Sequence, residues 1–371
     1  MAWFSECFRE LADPRRGNAT QHRLLDILTI ALTATVCGAE SCVDFADFGC
    51  ERRQLFSAFM DLKAGIPSHD TFSRLFRVLD PAAFAACFGQ FLDQLGSIGA
   101  GVVAIDGKTL RRSFDTAGQR SALHVVTAFA CERRLVLAQG AMAPHENEIV
   151  TARRVLELID LKGMLVTGDA MHCHGKTAAL IRARGGDWLF PVKENRPALH
   201  ADIVAFFAAP PEPPPVYVTV DGEHGRIETR RHQVWQDIDW LIPTRSESDE
   251  APMSGMAMIG QIEATVEQPG KPTTTSRRYY ISSANLTPER FAEAARTHWR
   301  IENSLHWVLD TTFNEDQARN RKDHGPENLA TLRKLALNML RTARPDISIR
   351  RKRKRSGWSD DFARTVLCQM R

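Results

Sequence analysis

Two aspartates stand where short apolar runs end, a placement typical of catalytic or metal-binding carboxylates. Asp106 follows the run VVAI, and Asp169 follows the run LVTG. Groups that bind ligands collect at the carboxyl ends of strands, because the loops there are free to shape a site. An aspartate at a strand end is also a common turn or cap residue. Two such aspartates, each beside a glycine, predict a functional site.

A third carboxylate, Glu302, lies in the helical segment HWRIENSLHWVLD. His298 and His306 stand four residues before and after it, and Asp310 is one turn further along. Helical spacing therefore places all four residues on one side of the helix. A plain polar surface face would have the same spacing. Trp299 and Trp307 lie on the adjacent stripe of the helix, and they are predicted to anchor it in the core.

Three carboxylates that converge would bind hard divalent cations, because Mg²⁺ prefers charged oxygen ligands. In two-metal phosphoryl transfer, ions about 3.5–4 Å apart activate the attacking oxygen and stabilise the leaving oxygen. The residues therefore predict Mg²⁺ as the cofactor. Mn²⁺ is the expected substitute, whereas zinc suits hard oxygen ligands less well.

The N-terminal part, residues 5–95, has the periodicity of helices, with an apolar repeat at Leu24, Leu28 and Leu32. Ser68 is the expected N-cap of a helix over 68–79. That helix exposes Arg74 and Arg77, as a helix that reads DNA would. An ordinary amphipathic helix with a solvated face has the same pattern.

After Gly96 the pattern changes to β-β-β-α-β-α-β, which predicts a mixed sheet with helical crossovers. Residues 209–286 then interrupt it as a β-rich insertion. Its first residues, APPEPPP, must be extended, and Asp221-Gly222 predicts the turn of a hairpin within 216–235. Helix resumes at Pro288 and continues, with a break near 312–326, to about Arg341.

The composition is that of a globular protein with a basic C-terminal quarter. The chain has 371 residues, of which 43% are hydrophobic and 25% charged, and its net charge is +3. Residues 287–371 carry 18 Lys and Arg against 11 Asp and Glu, which favours a polyanionic partner. The longest apolar stretch, 24–39, is too short for a membrane span, and the N-terminus lacks the order of a signal peptide. These features predict a cytoplasmic, nucleoid-associated protein without membrane contact.

The eight cysteines form no C-x-x-C pair and are expected to be free.

Taken in order, six motifs identify the chain as similar to a known family. They are AIDGKTLRRS at 104–113, TGDAMHCH at 167–174, FPVKENRP at 190–197, HGRIETRR at 224–231, YYISS at 279–283 and HWRIENSLHWVLDTTFNEDQ at 298–317. The chain resembles the DDE transposases, and more narrowly the H-repeat-associated (Rhs-linked) insertion-sequence transposases of bacteria. The resemblance extends from about Phe4 to Arg341.

The resemblance implies an α/β fold with a ribonuclease-H-like mixed sheet and a metal-binding catalytic triad of Asp106, Asp169 and Glu302. It implies a helical, DNA-binding domain over 1–96 and a catalytic domain over 97–344, with the β-rich insertion before the last catalytic helix. Residues 345–371 are then a basic tail. Related transposases often carry Tyr, Arg and Lys seven before, four before and seven after the glutamate. This chain has Ala295, His298 and Leu309 there, and His298 is the expected replacement for the phosphate-binding Arg.

Other residues suit DNA contact or support of the site, and solvated surface positions are equally good interpretations for most of them. Lys193 follows a strand that enters the site and suits phosphate binding. The HGRIETRR motif places three groups on one strand face for DNA backbone contacts: His224, Arg226 and Arg230. Adjacent side chains seldom chelate one ion together, so a zinc site at His172-Cys173-His174 is disfavoured. His172, like His306, is instead expected to support the site. The run RRKRKR at 350–355 is predicted to be a flexible electrostatic tail.

The sequence thus predicts a bacterial DNA transposase that binds the ends of its element, cuts them with Mg²⁺ and joins the freed 3′-hydroxyl to target DNA. Its partners would be double-stranded DNA and at least a second copy of the chain in a synaptic complex. Two alternatives stay open: a structure-selective nuclease or resolvase on the same fold, and a non-catalytic DNA-binding descendant. Strand-transfer products would separate the first alternative from a transposase. The presence of all three carboxylates speaks against the second.

Overall fold

The computed structural model describes residues 2–94, 99–223, 225–241 and 253–368. Its first part is a group of helices: α1 (Ala2–Cys7), α2 (Leu24–Cys37), α3 (Cys42–Glu51), α4 (Arg53–Ser57), α5 (His69–Val78) and α6 (Pro81–Gln94). Eleven of the 14 residues of α2 are buried, because its apolar side chains leave no polar face. The predicted cap of α5 is confirmed, since the Ser68 side chain accepts a hydrogen bond from the Thr71 backbone.

A nine-stranded mixed sheet forms the second part, with strand order β3-β2-β1-β4-β5-β9-β8-β7-β6. The strands are β1 (Gly101–Thr109), β2 (His124–Ala130), β3 (Leu135–Ala141), β4 (Met164–Gly168), β5 (Asp187–Val192), β6 (Val216–Glu223), β7 (Arg226–Trp235), β8 (Met258–Glu267) and β9 (Thr274–Ser282). Three helices accompany them: α7 (Glu148–Leu156), α8 (Gly175–Ala183) and α9 (Pro197–Ala208).

The first five strands have the ribonuclease-H-like arrangement that the motifs implied. β1, β2 and β3 are antiparallel neighbours, whereas β4 lies parallel to β1 and β5 parallel to β4. In this register Ile105 pairs with Gly168. Each is followed by an aspartate, so Asp106 and Asp169 emerge side by side from neighbouring parallel strands.

The β-rich insertion extends the same sheet. β9 pairs antiparallel with β5, and β8, β7 and β6 follow outward. The prediction that Asp221-Gly222 forms the hairpin turn is wrong, because both residues pair within β6 and the strands close at the Glu223–Arg226 pair. Gly225, with φ +71°, supplies the left-handed conformation that such a turn requires. Asp221 instead binds the guanidinium of Arg230 at 2.5 Å.

The C-terminal part returns to helix, with α10 (Pro288–His298), a π-helical segment (Ile301–His306), α11 (Trp307–Thr312), α12 (Gly325–Thr342), α13 (Ile349–Trp358) and α14 (Asp360–Cys368). α12 contacts α2, α5 and α6 as well as β3. Two buried asparagines secure it: Asn328 donates to the carbonyls of Phe76 and Leu79, and Asn338 bonds both backbone groups of Val136. α12 therefore joins the N-terminal helices to the sheet. The predicted domain boundary at 96/97 falls in residues 95–98, outside the described part.

The prediction that the basic run 350–355 is a flexible tail is wrong, since α13 contains the whole run. Lys352 and Arg353 are buried. The Arg353 guanidinium donates to the carbonyls of Thr35 (3.0 Å) and Ala39 (2.7 Å) at the end of α2, and to that of Thr312. Unpaired carbonyls at a helix C-terminus carry partial negative charge. They therefore accommodate a cation that sequence alone assigns to solvent.

Seven of the eight cysteines are seen to be free, as expected, and five of these seven are buried. Among the described residues, no single helix combines the length and the apolar composition needed to cross a membrane. Two pairs of consecutive helices have this length and composition only when the helices of each pair are counted as one segment, and both pairs are sharply bent. They are 24–37 with 42–51 and 69–78 with 81–92.

Candidate active site

Asp106, Glu302 and His306 form the centre of the site. One ligand atom from each lies within 4.8 Å of the other two, which is the one such group of three or more acids, histidines or cysteines in the described part of the chain. β1 supplies the aspartate, and the π-helical segment packed against β1 supplies the other two. His306 is buried, and its Nε2 lies 3.1 Å from Oδ2 of Asp106. The prediction that Asp106 ends its strand is wrong, because β1 continues to Thr109 and Asp106 pairs with Thr127 of β2. Its predicted convergence with the helical glutamate is present in the structure.

Asp169 directly follows β4, the strand next to β1, and its carboxylate is contacted by a side chain of α10. His298, the last residue of α10, places its Nε2 3.6 Å from Oδ1 of Asp169 and its Nδ1 3.2 Å from the hydroxyl of Thr167. His298 lowers the pKa of the Asp169 carboxyl, with a smaller contribution from Lys193, while burial opposes the change. His298 thus contacts a carboxylate in this structure, where a phosphate contact was expected.

The electrostatics suit a divalent cation. Burial raises the pKa of Glu302, His306 opposes that rise, and the negative charges of Asp106 and Asp169 add to it. The two aspartates therefore repel the ionised Glu302 carboxylate in the absence of a counter-charge. Oxygen donors in this number and charge state are those that Mg²⁺ and Mn²⁺ favour. Asp106 and Glu302, with His306, are therefore the residues that could hold a metal, and Asp169 follows the neighbouring strand.

The helix around Glu302 buries a different stripe of side chains from the predicted one. Trp299 and Trp307 are 53% and 63% exposed, so the prediction that they anchor the helix in the core is wrong. The buried stripe consists of Ile301, Leu305 and Leu309. These positions are spaced by four residues, and a short helix packed on one side cannot bury both stripes. The tryptophans consequently flank Glu302 on the solvent side.

Asp310, which helical spacing placed beside Glu302, belongs to a second acidic cluster. The Lys108 ammonium contacts Asp310 and lies 3.4 Å from Glu315 and 3.6 Å from Asp316. Glu315 is fully buried, and Arg333 lies 3.8 Å from it. These carboxylates are neutralised by protein cations. They are therefore poorer candidates than Glu302 for a third metal ligand.

Sequence reasoning missed Glu148, the first residue of α7. Its carboxylate bridges His124 (2.7 Å) and His172 (3.1 Å), and these hydrogen bonds lower the pKa of Glu148 to about 2. His172 is fully buried, consistent with a supporting role in the site. The only local signal was Asn147, which caps α7. Nothing in the sequence shows that Glu148 has two histidine partners.

The expected DNA-contacting residues fall into separate places. Lys193 lines a cleft of about 300 Å³ together with Asp169. Arg226 and Arg230 line an adjoining cleft of about 910 Å³, and both bind Glu228, at 2.8 and 2.9 Å. His224 lies outside the described residues. The remaining two residues are on α5 and line neither cleft: Arg74 and Arg77.

A ribonuclease-H-like sheet that presents two aspartates on neighbouring parallel strands to a helical glutamate defines the class of metal-dependent nucleases and transposases. Residues 98–339 match the family described as Transposase DDE domain, and residues 5–92 match the one described as DDE_Tnp_1-associated. The chain belongs to the DDE transposase family, as the motifs indicated.

Similarity to individual proteins extends over most of the chain. The H repeat-associated putative transposase YhhI of Escherichia coli K12 is 34% identical over 362 residues, which span 96% of this chain and 95% of YhhI. The putative transposase YncI of Escherichia coli O157:H7 is 33% identical over 384 residues, or 96% and 92% of the two chains. Among solved structures, a piggyBac transposase synaptic complex with hairpin DNA is 11% identical, with a TM-score of 0.45 over 100% of this chain and 76% of that chain.

Proposed function

We propose that this transposase binds the ends of its own insertion sequence and performs Mg²⁺-dependent strand cleavage and strand transfer there. The observation that carries the proposal is the cluster of Asp106 and Glu302 within 4.8 Å, with Asp169 on the adjacent strand end. A DDE family member with these residues in reach of one another has the groups that phosphoryl transfer requires.

In the proposed reaction, a water oxygen attacks the phosphorus at the element end and the bond to the 3′ oxygen breaks, which leaves a free 3′-hydroxyl. That hydroxyl then attacks the phosphorus of a target phosphodiester, the bond from this phosphorus to the target's 3′ oxygen breaks, and a target 3′-hydroxyl is released. No covalent protein–DNA bond forms. When bound, the divalent ions supply the positive charge that activates the attacking oxygen and stabilises the leaving oxygen. His306 orients Asp106 and His298 orients Asp169, so that the carboxylate oxygens face the metal position.

The DNA path in this proposal is the pair of adjoining clefts beside Asp169. The smaller cleft contains Lys193, and both clefts share Arg278 and Trp299. The larger cleft continues past Arg300 to the strands of the insertion. Because Arg226 and Arg230 bind Glu228, the exposed guanidinium groups of Arg278 and Arg300 are better placed to neutralise phosphates near the cut.

Recognition of the element ends is assigned in this proposal to α5, through Arg74. Its side chain is exposed, with Nε 3.3 Å from the Asp70 carbonyl. Arg77 instead binds Asp323 at 2.7 Å, ahead of α12. Arg77 therefore attaches α5 to the rest of the fold. Two element ends would require at least two copies of the chain.

The charged cleft gives a salt-dependence prediction. The double variant Arg278→Gln, Arg300→Gln should lower the slope of log affinity against log salt by about 0.9 for each lost phosphate contact on duplex DNA. Fluorescence anisotropy across a salt titration measures this slope. Arg364→Gln, on α14, is the matched control and should leave it unchanged. A wild-type slope in the double variant would remove this cleft from the DNA path.

The direct test of the function uses the DNA that flanks the gene, a target plasmid and Mg²⁺, with strand ends mapped at nucleotide resolution. We expect cuts at the element ends that leave 3′-hydroxyls, together with joined target products. Cleavage of branched DNA regardless of sequence, without joined products, would instead indicate a nuclease or resolvase. Specific binding with neither product would indicate a non-catalytic DNA-binding protein.

A further inference from the structure

The bridge formed by Glu148 joins two parts of the fold that carry different catalytic aspartates. His124 is on β2, where it pairs with Thr109 of β1 and bonds the Thr109 hydroxyl through Nδ1 at 2.9 Å. His172 is in the turn after β4, three residues beyond Asp169. One carboxylate at the start of α7 therefore ties the β1–β2 pair to the turn that follows β4.

The glycines beside the two aspartates show how closely this bridge packs on the site. Gly107 follows Asp106, and a Cβ atom there would overlap the His124 ring and the Glu148 carboxylate. Gly168 precedes Asp169, and a Cβ atom there would lie 3.0 Å from the His172 ring. The bridge thus rests on the backbone of both catalytic strands, next to the residues that must be held in position.

Glu148 itself is not placed as a metal ligand. Both of its oxygens are taken by imidazoles, and the described part of the chain has only the Asp106, Glu302 and His306 group within ligand distance. Because both histidines bind through Nε2, the bridge fixes the orientation of each ring. The hydrogen bonds from His124 and His172 lower the pKa of Glu148 to about 2, which shows that both favour its charged form.

We propose that Glu148 is a positioning residue that sets the separation of the Asp106 and Asp169 carboxylates. The inference rests on the proposed function, because that separation matters only if both aspartates hold metal. Residues that orient metal ligands without touching the metal typically change metal affinity by 10- to 100-fold when they are replaced.

The test compares Glu148→Gln with wild type in Mn²⁺ titrations of the full chain without DNA, read by electron paramagnetic resonance at a temperature where circular dichroism shows both proteins folded. We expect Mn²⁺ affinity to fall about 10- to 100-fold. The matched control is Glu146→Gln, because Glu146 lies two residues earlier and binds Arg154 at 3.3 Å. It should bind Mn²⁺ as wild type does. Crystal structures should show a changed separation of the two aspartates in Glu148→Gln alone.

Three outcomes would overturn the proposal: wild-type Mn²⁺ affinity in Glu148→Gln, an unchanged separation of the aspartates, or an equal loss of affinity in Glu146→Gln. If the wild-type protein itself bound no Mn²⁺ and cut no DNA, the proposed function would fail. The comparison of the aspartate separation would then still decide whether Glu148 positions them.

Discussion

Asp106→Asn, Asp169→Asn and Glu302→Gln are each expected to reduce strand cleavage by at least about a thousandfold while DNA binding persists. Loss of one charged ligand removes several kcal/mol of transition-state stabilisation, and each 1.36 kcal/mol corresponds to about tenfold in rate. The substitutions are nearly isosteric, so the fold should be retained. Single-turnover cleavage of an element-end duplex in Mg²⁺ measures the rate, and anisotropy measures binding.

Asp160→Asn is a suitable control, because Asp160 is exposed and bonds only locally, to the Lys162 backbone. Residues that act as one catalytic unit give non-additive effects. The double variant Asp106→Asn, Glu302→Gln should therefore be hardly slower than either single variant. Near-wild-type cleavage in any single variant would remove that residue from the triad.

Arg353→Ala is expected to lower the free energy of unfolding by about 3–5 kcal/mol, because a buried charge makes several hydrogen bonds that alanine cannot replace. The carbonyls of Thr35, Ala39 and Thr312 would each lose the hydrogen bond from this guanidinium. The guanidinium also lies 4.5 Å from the ring centre of Phe313, and that contact would be lost as well. Urea unfolding followed by circular dichroism measures the change.

Arg351→Ala provides the comparison within the same helix and the same basic run. Arg351 is exposed, and surface substitutions of this kind are usually within about 0.5 kcal/mol of neutral. Equal stability of the two variants would mean that the hydrogen bonds of the Arg353 guanidinium contribute nothing to the free energy of unfolding.

The sequence determined the strands that carry Asp106 and Asp169 and the order of the candidate site residues. The apolar runs that precede Asp106 and Asp169 are local patterns, and each run by itself indicates a strand that is buried in a mixed sheet. Ser68 at the start of α5 was predictable for the same reason, since a cap bonds the backbone only three residues away. Ordered motifs also identified the family, because they sample residues 104–317 at six separate places.

Tertiary structure alone decided which side chains are buried and which charges are paired. Trp299 and Trp307 are eight residues apart, as are Ile301 and Leu309, and only packing against the sheet selects which stripe enters the core. Glu148 lies 24 residues from each of its histidine partners. Arg353 binds carbonyls more than 300 residues away. Periodicity and capping are local properties of the chain, whereas the partner of a buried charge is set by elements distant in sequence that meet only in the folded protein.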